Sequence, residues 1–132
     1  MLTRAFELAT ATALTARGLK AATVRTADGW NVKCWRGGNP AGEPWLLLHG
    51  LGATAATYLP LLPQLQTDCN LLLPERSALG GTLGPEPAFG IPQATRALSE
   101  LIEQQFPDRQ VTICGISLGG WIAVRLGPDR PD

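Results

Sequence analysis

The sequence lacks any excess of charge and any long apolar run. Its 132 residues include 11 basic and 11 acidic side chains, so the formal net charge at pH 7 is zero. Because no basic patch is available to neutralise phosphates, we expect no nucleic-acid partner. No apolar stretch approaches the ~18 residues of a membrane span, so no transmembrane segment is predicted. These absences favour an ordinary globular domain.

Cysteine is also scarce. The three cysteines lie far apart, are odd in number and occur in or beside apolar runs: Cys34, Cys69 and Cys114. This pattern predicts small buried side chains rather than a disulfide framework or a metal site, and it favours a reducing, cytoplasmic location. Residues 1–17 lack the apolar core of a secretory signal peptide, although an organellar presequence stays open because arginine and threonine are present and acids are few. We expect no cofactor.

Histidine is the scarcest functional residue, since His49 is the single one in the chain. It stands in the run Leu46-Leu47-Leu48-His49-Gly50-Leu51-Gly52, where an apolar segment ends in a glycine-rich turn. A near-continuous apolar run over residues 44–48 is typical of a strand buried on both faces of a parallel sheet. A helix is predicted after the turn, over residues 57–65.

A second strand–turn–helix pattern contains Gly115-Ile116-Ser117-Leu118-Gly119. A serine at the tip of so tight a turn takes a strained backbone conformation, and only glycine neighbours let the two arms approach. The hydroxyl is then exposed beside the Leu118 N–H at a helix N-terminus, where a developing oxyanion is stabilised. The G-x-S-x-G pattern alone is weak, and a solvated serine in a glycine-rich turn is the alternative.

The remaining elements alternate in a regular way. A helix over residues 2–17 precedes a hairpin around Asp28-Gly29, with strands over 21–26 and 30–35. Further strands over 70–73 and 111–114 alternate with helices over 91–106 and from Leu118 onward. This order predicts an α/β fold with a hairpin followed by a doubly wound, mostly parallel sheet, in a single domain over 1–132 with its N-terminal helix in 1–18. The His49 turn, the Ser117 turn and a loop over 74–92 meet at the carboxyl edge, where ligands bind in such sheets.

Taken together, these motifs resemble the α/β-hydrolase family. His49-Gly50-Leu51-Gly52 matches its oxyanion loop and Gly115-Ile116-Ser117-Leu118-Gly119 its nucleophile elbow. Pro74-Glu75-Arg76-Ser77-Ala78-Leu79-Gly80-Gly81-Thr82 is similar to the loop after its fourth strand, with Glu75 where the family usually has aspartate and Ala78 where it has glycine. The resemblance implies an α/β-hydrolase fold, truncated after the helix that follows the elbow.

The same resemblance implies a serine hydrolase of the esterase/lipase kind, acting on a small-molecule ester or acyl substrate through an acyl-enzyme. Ser117 would be the nucleophile, the N–H groups of Leu118 and Leu51 the oxyanion hole, and His49 a structural residue of the oxyanion loop, with catalysis by His49 as the lesser alternative. The glycines that permit the tight backbone would be Gly50, Gly52, Gly115 and Gly119.

The family's triad acid and histidine follow the elbow in chain order. Neither is found in this chain, and Asp129 and Asp132 do not match the triad acid. A non-catalytic, truncated hydrolase-like remnant or binding module is therefore the alternative function. Nucleotide binding by the glycine-rich residues 79–84 is disfavoured because neither a helix nor a lysine follows them. We also expect one edge of the strand over 111–114 to be unpaired, which invites pairing with another chain.

Overall fold

The computed structural model describes residues 2–75 and 91–129. Five strands alternate with helices, in the order α1 (Leu2–Ala16), β1 (Lys20–Arg25), β2 (Asn31–Gly38), β3 (Glu43–Leu48), a 3₁₀ helix (Ala55–Leu61), α2 (Leu62–Leu65), β4 (Cys69–Pro74), α3 (Ile91–Gln105), β5 (Thr112–Gly115) and α4 (Leu118–Asp129). The predicted hairpin followed by alternating strands and helices is confirmed. Among the helices of these described residues, none combines the length and the apolar character that crossing a bilayer requires.

The strands form one sheet in the order β1-β2-β4-β3-β5. β2 pairs antiparallel with β1 and with β4, whereas β3 pairs parallel with β4 and with β5. The hairpin turn closes through the Thr26 N–H, which donates to the Trp30 carbonyl at 2.8 Å, and Gly29 takes a φ of +88° there. Within the described part of the chain β5 has β3 as its one neighbour, so its other edge is unpaired, as predicted.

Both faces of the sheet are covered, which makes the fold doubly wound. Leu46 and Leu48 of β3 pack in the cluster beneath α3 and α4, while Leu47 packs in the opposite cluster with α1, the 3₁₀ helix and α2. Burial of successive residues on alternate faces explains why β3 is apolar throughout. Helix α3 buries its residues at helical spacing: Ala94, Ala97, Leu98, Leu101 and Ile102.

The helix predicted over residues 57–65 begins earlier and is mostly not an α-helix. It starts at Ala55 as a 3₁₀ helix, with the Thr54 hydroxyl accepting from the Ala56 N–H at 3.3 Å, and becomes α-helical at Leu62. Pro60 lies inside the 3₁₀ helix, and Pro63 lies in the first turn of α2. Proline has no N–H to donate to the preceding turn, so two prolines within four residues break the regular α ladder.

Several sequence predictions fall outside the described residues. They are the loop over 76–90 with most of its family motif, the glycine-rich residues 79–84 and Asp132. Pro74 and Glu75 at the start of that motif are described, and Pro74 is the last residue of β4.

Candidate active site

Ser117 sits at the junction of β5 and α4 with a left-handed backbone. Its φ is +56°, and among the described residues the only other residue besides glycine with positive φ is Asp108. A non-glycine residue in this region is strained and persists only where its surroundings fix it. Here the Ile116 N–H donates to the Leu48 carbonyl at 3.1 Å, and the Gly119 N–H donates to the Ile116 carbonyl at 2.9 Å. The junction therefore presents an exposed Ser117 on a fixed turn.

The flanking glycines have no room for a side chain. A Cβ on Gly115 would collide with the Gly119 carbonyl, and a Cβ on Gly119 would collide with the carbonyls of Leu48 and His49. The obstacles are backbone atoms, which cannot rotate away as a flexible side chain would. The close approach of β5, α4 and β3 thus depends on glycine at both positions.

The loop after β3 lies directly beside the serine. A Cβ added to Gly50 would be 3.4 Å from the Ser117 Cβ and 3.9 Å from its Oγ. Leu51, the next residue, is 82% exposed, and Gly52 takes a φ of +71°. The structure therefore brings the two sequence motifs together at the carboxyl ends of β3 and β5, as the parallel pairing of these strands requires.

Behind this loop lies a buried pair formed by His49 and Glu75. Their exposed fractions are 1% and 2%, and His49 Nε2 lies 3.4 Å from Glu75 Oε2. The other ring nitrogen, Nδ1, lies 2.9 Å from the Gly50 carbonyl oxygen. Glu75 also accepts from the Ala55 N–H, 3.1 Å from each carboxylate oxygen, and from the Trp35 indole N–H at 3.3 Å.

Sequence reasoning noted Glu75 only as a departure from the family's aspartate and missed this pairing. The available signal was an acid placed directly after the buried strand β4, at the same sheet edge as His49. A buried carboxylate needs partners, and the histidine at the end of the neighbouring strand supplies one.

Tyr58 is a second residue that sequence reasoning missed. Its hydroxyl donates to the Leu48 carbonyl at 2.8 Å and lies 3.3 Å from the Cys114 carbonyl, so it bridges the ends of β3 and β5 beneath the two turns. Burial raises the pKa of Tyr58, with Cys114 adding to the shift, and the phenol stays protonated. No local pattern in the predicted helix marked this residue.

Both ring nitrogens of His49 face oxygen acceptors, Gly50 and Glu75. Leu118 begins α4, so its N–H belongs to the first turn, whose amides have no partner within the helix.

A comparison with family models identifies the fold. The model of the alpha/beta hydrolase family matches residues 45–131, which include the His49 loop, Glu75 and the Ser117 turn. The chain belongs to the alpha/beta hydrolase family. This confirms the family and the fold class expected from the three motifs in this α/β-hydrolase chain.

The three similar proteins described next are longer than this chain. An AB hydrolase superfamily protein of Gibberella zeae is 33% identical over 94 residues, which are 70% of this chain and 33% of that protein. A candidate lipase, lip1, from Acinetobacter baumannii has a TM-score of 0.84 at 22% identity, over 96% of this chain and 42% of its own. A candidate epoxide hydrolase from Pseudomonas aeruginosa has a TM-score of 0.75 at 22% identity, over 86% and 38%. The chain thus spans about a third of the curated relative, and the two structures show the fold alone.

Proposed function

We propose that this α/β-hydrolase chain carries the nucleophile and the oxyanion hole of a serine hydrolase acting on carboxylic esters. The Ser117 Oγ attacks the ester carbonyl carbon, and the N–H groups of Leu118 and Leu51 stabilise the oxyanion. The C–O bond to the alcohol then breaks, the alcohol leaves with a proton, and water releases the acid from the acyl-enzyme. The observation that carries this proposal is Ser117 at a φ of +56° with Gly50 facing it.

The strained turn supports a catalytic rather than a solvated serine. A φ of +56° at a serine is unfavourable, yet three backbone carbonyls would be struck by side chains at Gly115 and Gly119, so the whole junction is built around this conformation. Removing one oxyanion-hole donor typically lowers kcat by about 10²–10³-fold, so under this proposal the N–H groups of Leu118 and Leu51 would each raise kcat by a comparable factor.

The residue type at position 117 favours esters over epoxides. Both a candidate lipase and a candidate epoxide hydrolase share the fold, so the fold does not choose between the two reactions. The family resemblance assigns an aspartate nucleophile to the epoxide-hydrolase and dehalogenase branches, whereas this chain has serine. A serine oxygen forms an acyl ester that water can hydrolyse, which suits carboxylic ester substrates.

A general base is also required, because serine at its ordinary pKa is a weak nucleophile. His49 is the single histidine of the sequence, and its nitrogens are directed at Gly50 and Glu75. We therefore place the triad histidine and acid outside these 132 residues and assign His49 a structural role in the oxyanion loop.

The three cysteines are unpaired, with Cys34 and Cys69 buried, which supports a reducing, cytoplasmic location as part of the same proposal.

The test supplies the missing base as free imidazole. We expect the chain to release nitrophenolate from p-nitrophenyl butyrate faster than imidazole alone does, and we expect Ser117→Ala to reduce the rate to that background. Ser99→Ala, which removes a hydroxyl from the ordinary helical backbone of α3, should retain the wild-type rate. Equal rates for the wild type and Ser117→Ala would overturn the proposal and favour a non-catalytic scaffold.

A further inference from the structure

We propose that Tyr58 is a positioning residue, whose buried hydroxyl holds the carboxyl ends of β3 and β5 at a fixed separation. The inference rests on the function proposed above, because the loop after β3 contains the Leu51 N–H and the turn after β5 contains Ser117. Tyr58 contacts neither the ester nor the reacting atoms in this account. It acts through the backbone that places both groups.

The Leu48 carbonyl is the point at which these elements meet. Its oxygen accepts from the Tyr58 hydroxyl at 2.8 Å and from the Ile116 N–H at 3.1 Å. A carbonyl oxygen has two lone pairs, so these two donors use its full capacity. A Cβ on Gly119 would also collide with this oxygen, because α4 approaches it closely. The last residue of β3 is therefore joined both to Tyr58 and to the residue that precedes Ser117.

The same hydroxyl also contacts the end of β5. It lies 3.3 Å from the Cys114 carbonyl oxygen, so it stands between a carbonyl of β3 and a carbonyl of β5. Because a hydroxyl has one proton, the shorter contact with Leu48 is the principal hydrogen bond, and the contact with Cys114 is its weaker branch. Leu48 lies three residues before Leu51, and Cys114 lies three residues before Ser117. One donor therefore links the two backbone segments on which the proposed reaction depends.

Tyr58 is itself held in one place. Its side chain is fully buried and packs in the same cluster as Leu47 of β3. The 3₁₀ helix that contains it is fixed at its start, where the Ala55 N–H donates to Glu75 at 3.1 Å. Burial raises the pKa of the phenol, with Cys114 adding to the shift, so the hydroxyl keeps the proton that it donates. A donor fixed in this way can define the position of the two strand ends.

Packing alone does not account for a hydroxyl at this position. A phenylalanine ring would fill nearly the same space, and burying a hydroxyl costs free energy unless it is hydrogen-bonded. A bonded hydroxyl contributes only a small net amount to stability. What the Tyr58 hydroxyl adds to a phenyl ring is the link between the two strand ends. Since a displacement of about 1 Å of reacting groups can cost about 10²-fold in rate, we expect this link to affect catalysis more than stability.

The test compares Tyr58→Phe with the wild type in the hydrolysis of p-nitrophenyl butyrate with added imidazole. Each protein is assayed at a temperature at which circular dichroism shows it to be folded. We expect Tyr58→Phe to lower kcat by about 10- to 10²-fold and to leave KM unchanged, because the placement of reacting groups is lost rather than substrate binding. Thr95→Val is the matched control and should keep the wild-type kcat. It also removes a buried hydroxyl, but one that donates to the Ile91 carbonyl at 2.8 Å within α3.

Two kinetic results would overturn the positioning role. One is a wild-type kcat in Tyr58→Phe, and the other is a raised KM with an unchanged kcat. Equal hydrolysis by the wild type and Ser117→Ala would instead overturn the proposed ester hydrolysis, so the two failures are distinguishable.

The link between the strand ends is tested without activity. Tyr58 is the single tyrosine of the chain, so the tyrosine Fermi doublet in the Raman spectrum reports this phenol alone. We expect the intensity ratio of a hydrogen-bond donor, and the ratio of a phenol that does not donate would overturn the link. This measurement needs no variant, so it decides the point even where Tyr58→Phe fails to fold. In a folded Tyr58→Phe, the amide NMR signals of Leu51 and Ser117 should shift, and unchanged signals would also overturn the link.

Discussion

At the residue scale, Ser117, Glu75 and Cys34 lie in three different environments. Ser117 is exposed on a strained turn, whereas Glu75 is buried and accepts hydrogen bonds from Ala55 and Trp35. Cys34 is buried among the apolar side chains beneath α3, where burial raises the pKa of its thiol to about 11 against a weaker opposing effect of Arg36. Desolvation keeps the Cys34 thiol protonated at pH values well above its ordinary pKa.

The Cys34 thiol predicts how stability depends on alkaline pH. Its pKa is raised from 9.0 to about 11 in the folded chain, so the folded state retains a proton that the unfolded state loses. Stability from this group is fully present below about pH 9 and is lost as the pH rises to about 11, with a loss of up to about 3 kcal/mol. Urea unfolding of the wild type should show this fall, and Cys34→Ala should show a smaller fall from a lower starting stability. Parallel curves for the two proteins would contradict the assignment.

At the scale of elements, local periodicity in the sequence predicted most strands and helices, whereas the contacts between residues far apart in the chain were not predicted. The strands and helix α3 follow from apolar runs and 3.6-residue spacing, and both glycine-rich turns follow from their motifs. The 3₁₀ helix differs because Pro60 and Pro63 interrupt a pattern that otherwise reads as α-helical. The Glu75 contacts with Trp35 and His49 join residues 40 and 26 positions apart, so periodicity within a single element does not reveal them, and the strand order of the sheet is needed to bring them together.

The junction of β5 and α4 gives a prediction with an internal control. Gly119→Ala places a Cβ against the backbone carbonyl of Leu48, so we expect a loss of about 1–3 kcal/mol in unfolding free energy or a failure to fold. Gly127→Ala lies in the same helix with open space around its Cβ, and alanine there should add up to about 1 kcal/mol. Urea denaturation followed by circular dichroism compares the two variants. A neutral Gly119→Ala would mean that β3, β5 and α4 can separate without cost.

At the scale of the whole molecule, the parallel strands bring the residues of the candidate site together at one edge of the sheet. β3, β4 and β5 run in the same direction, so the His49 loop, Glu75 and the Ser117 turn all emerge at their carboxyl ends. The α/β-hydrolase family model covers this whole segment. Under our proposal, these 132 residues supply the nucleophile and the backbone N–H groups of the oxyanion hole, and the proton-transfer groups come from outside them.

The central claim is that Ser117 is a nucleophile set in a preformed oxyanion hole. Intact-mass analysis after exposure to a fluorophosphonate, with imidazole as added base, tests it directly because the serine Oγ displaces fluoride and leaves a stable adduct. We predict one adduct per chain in the wild type, mapped to Ser117, and none in Ser117→Ala. An equal adduct in Ser117→Ala, or a folded wild-type chain that stays unlabelled, would contradict the account.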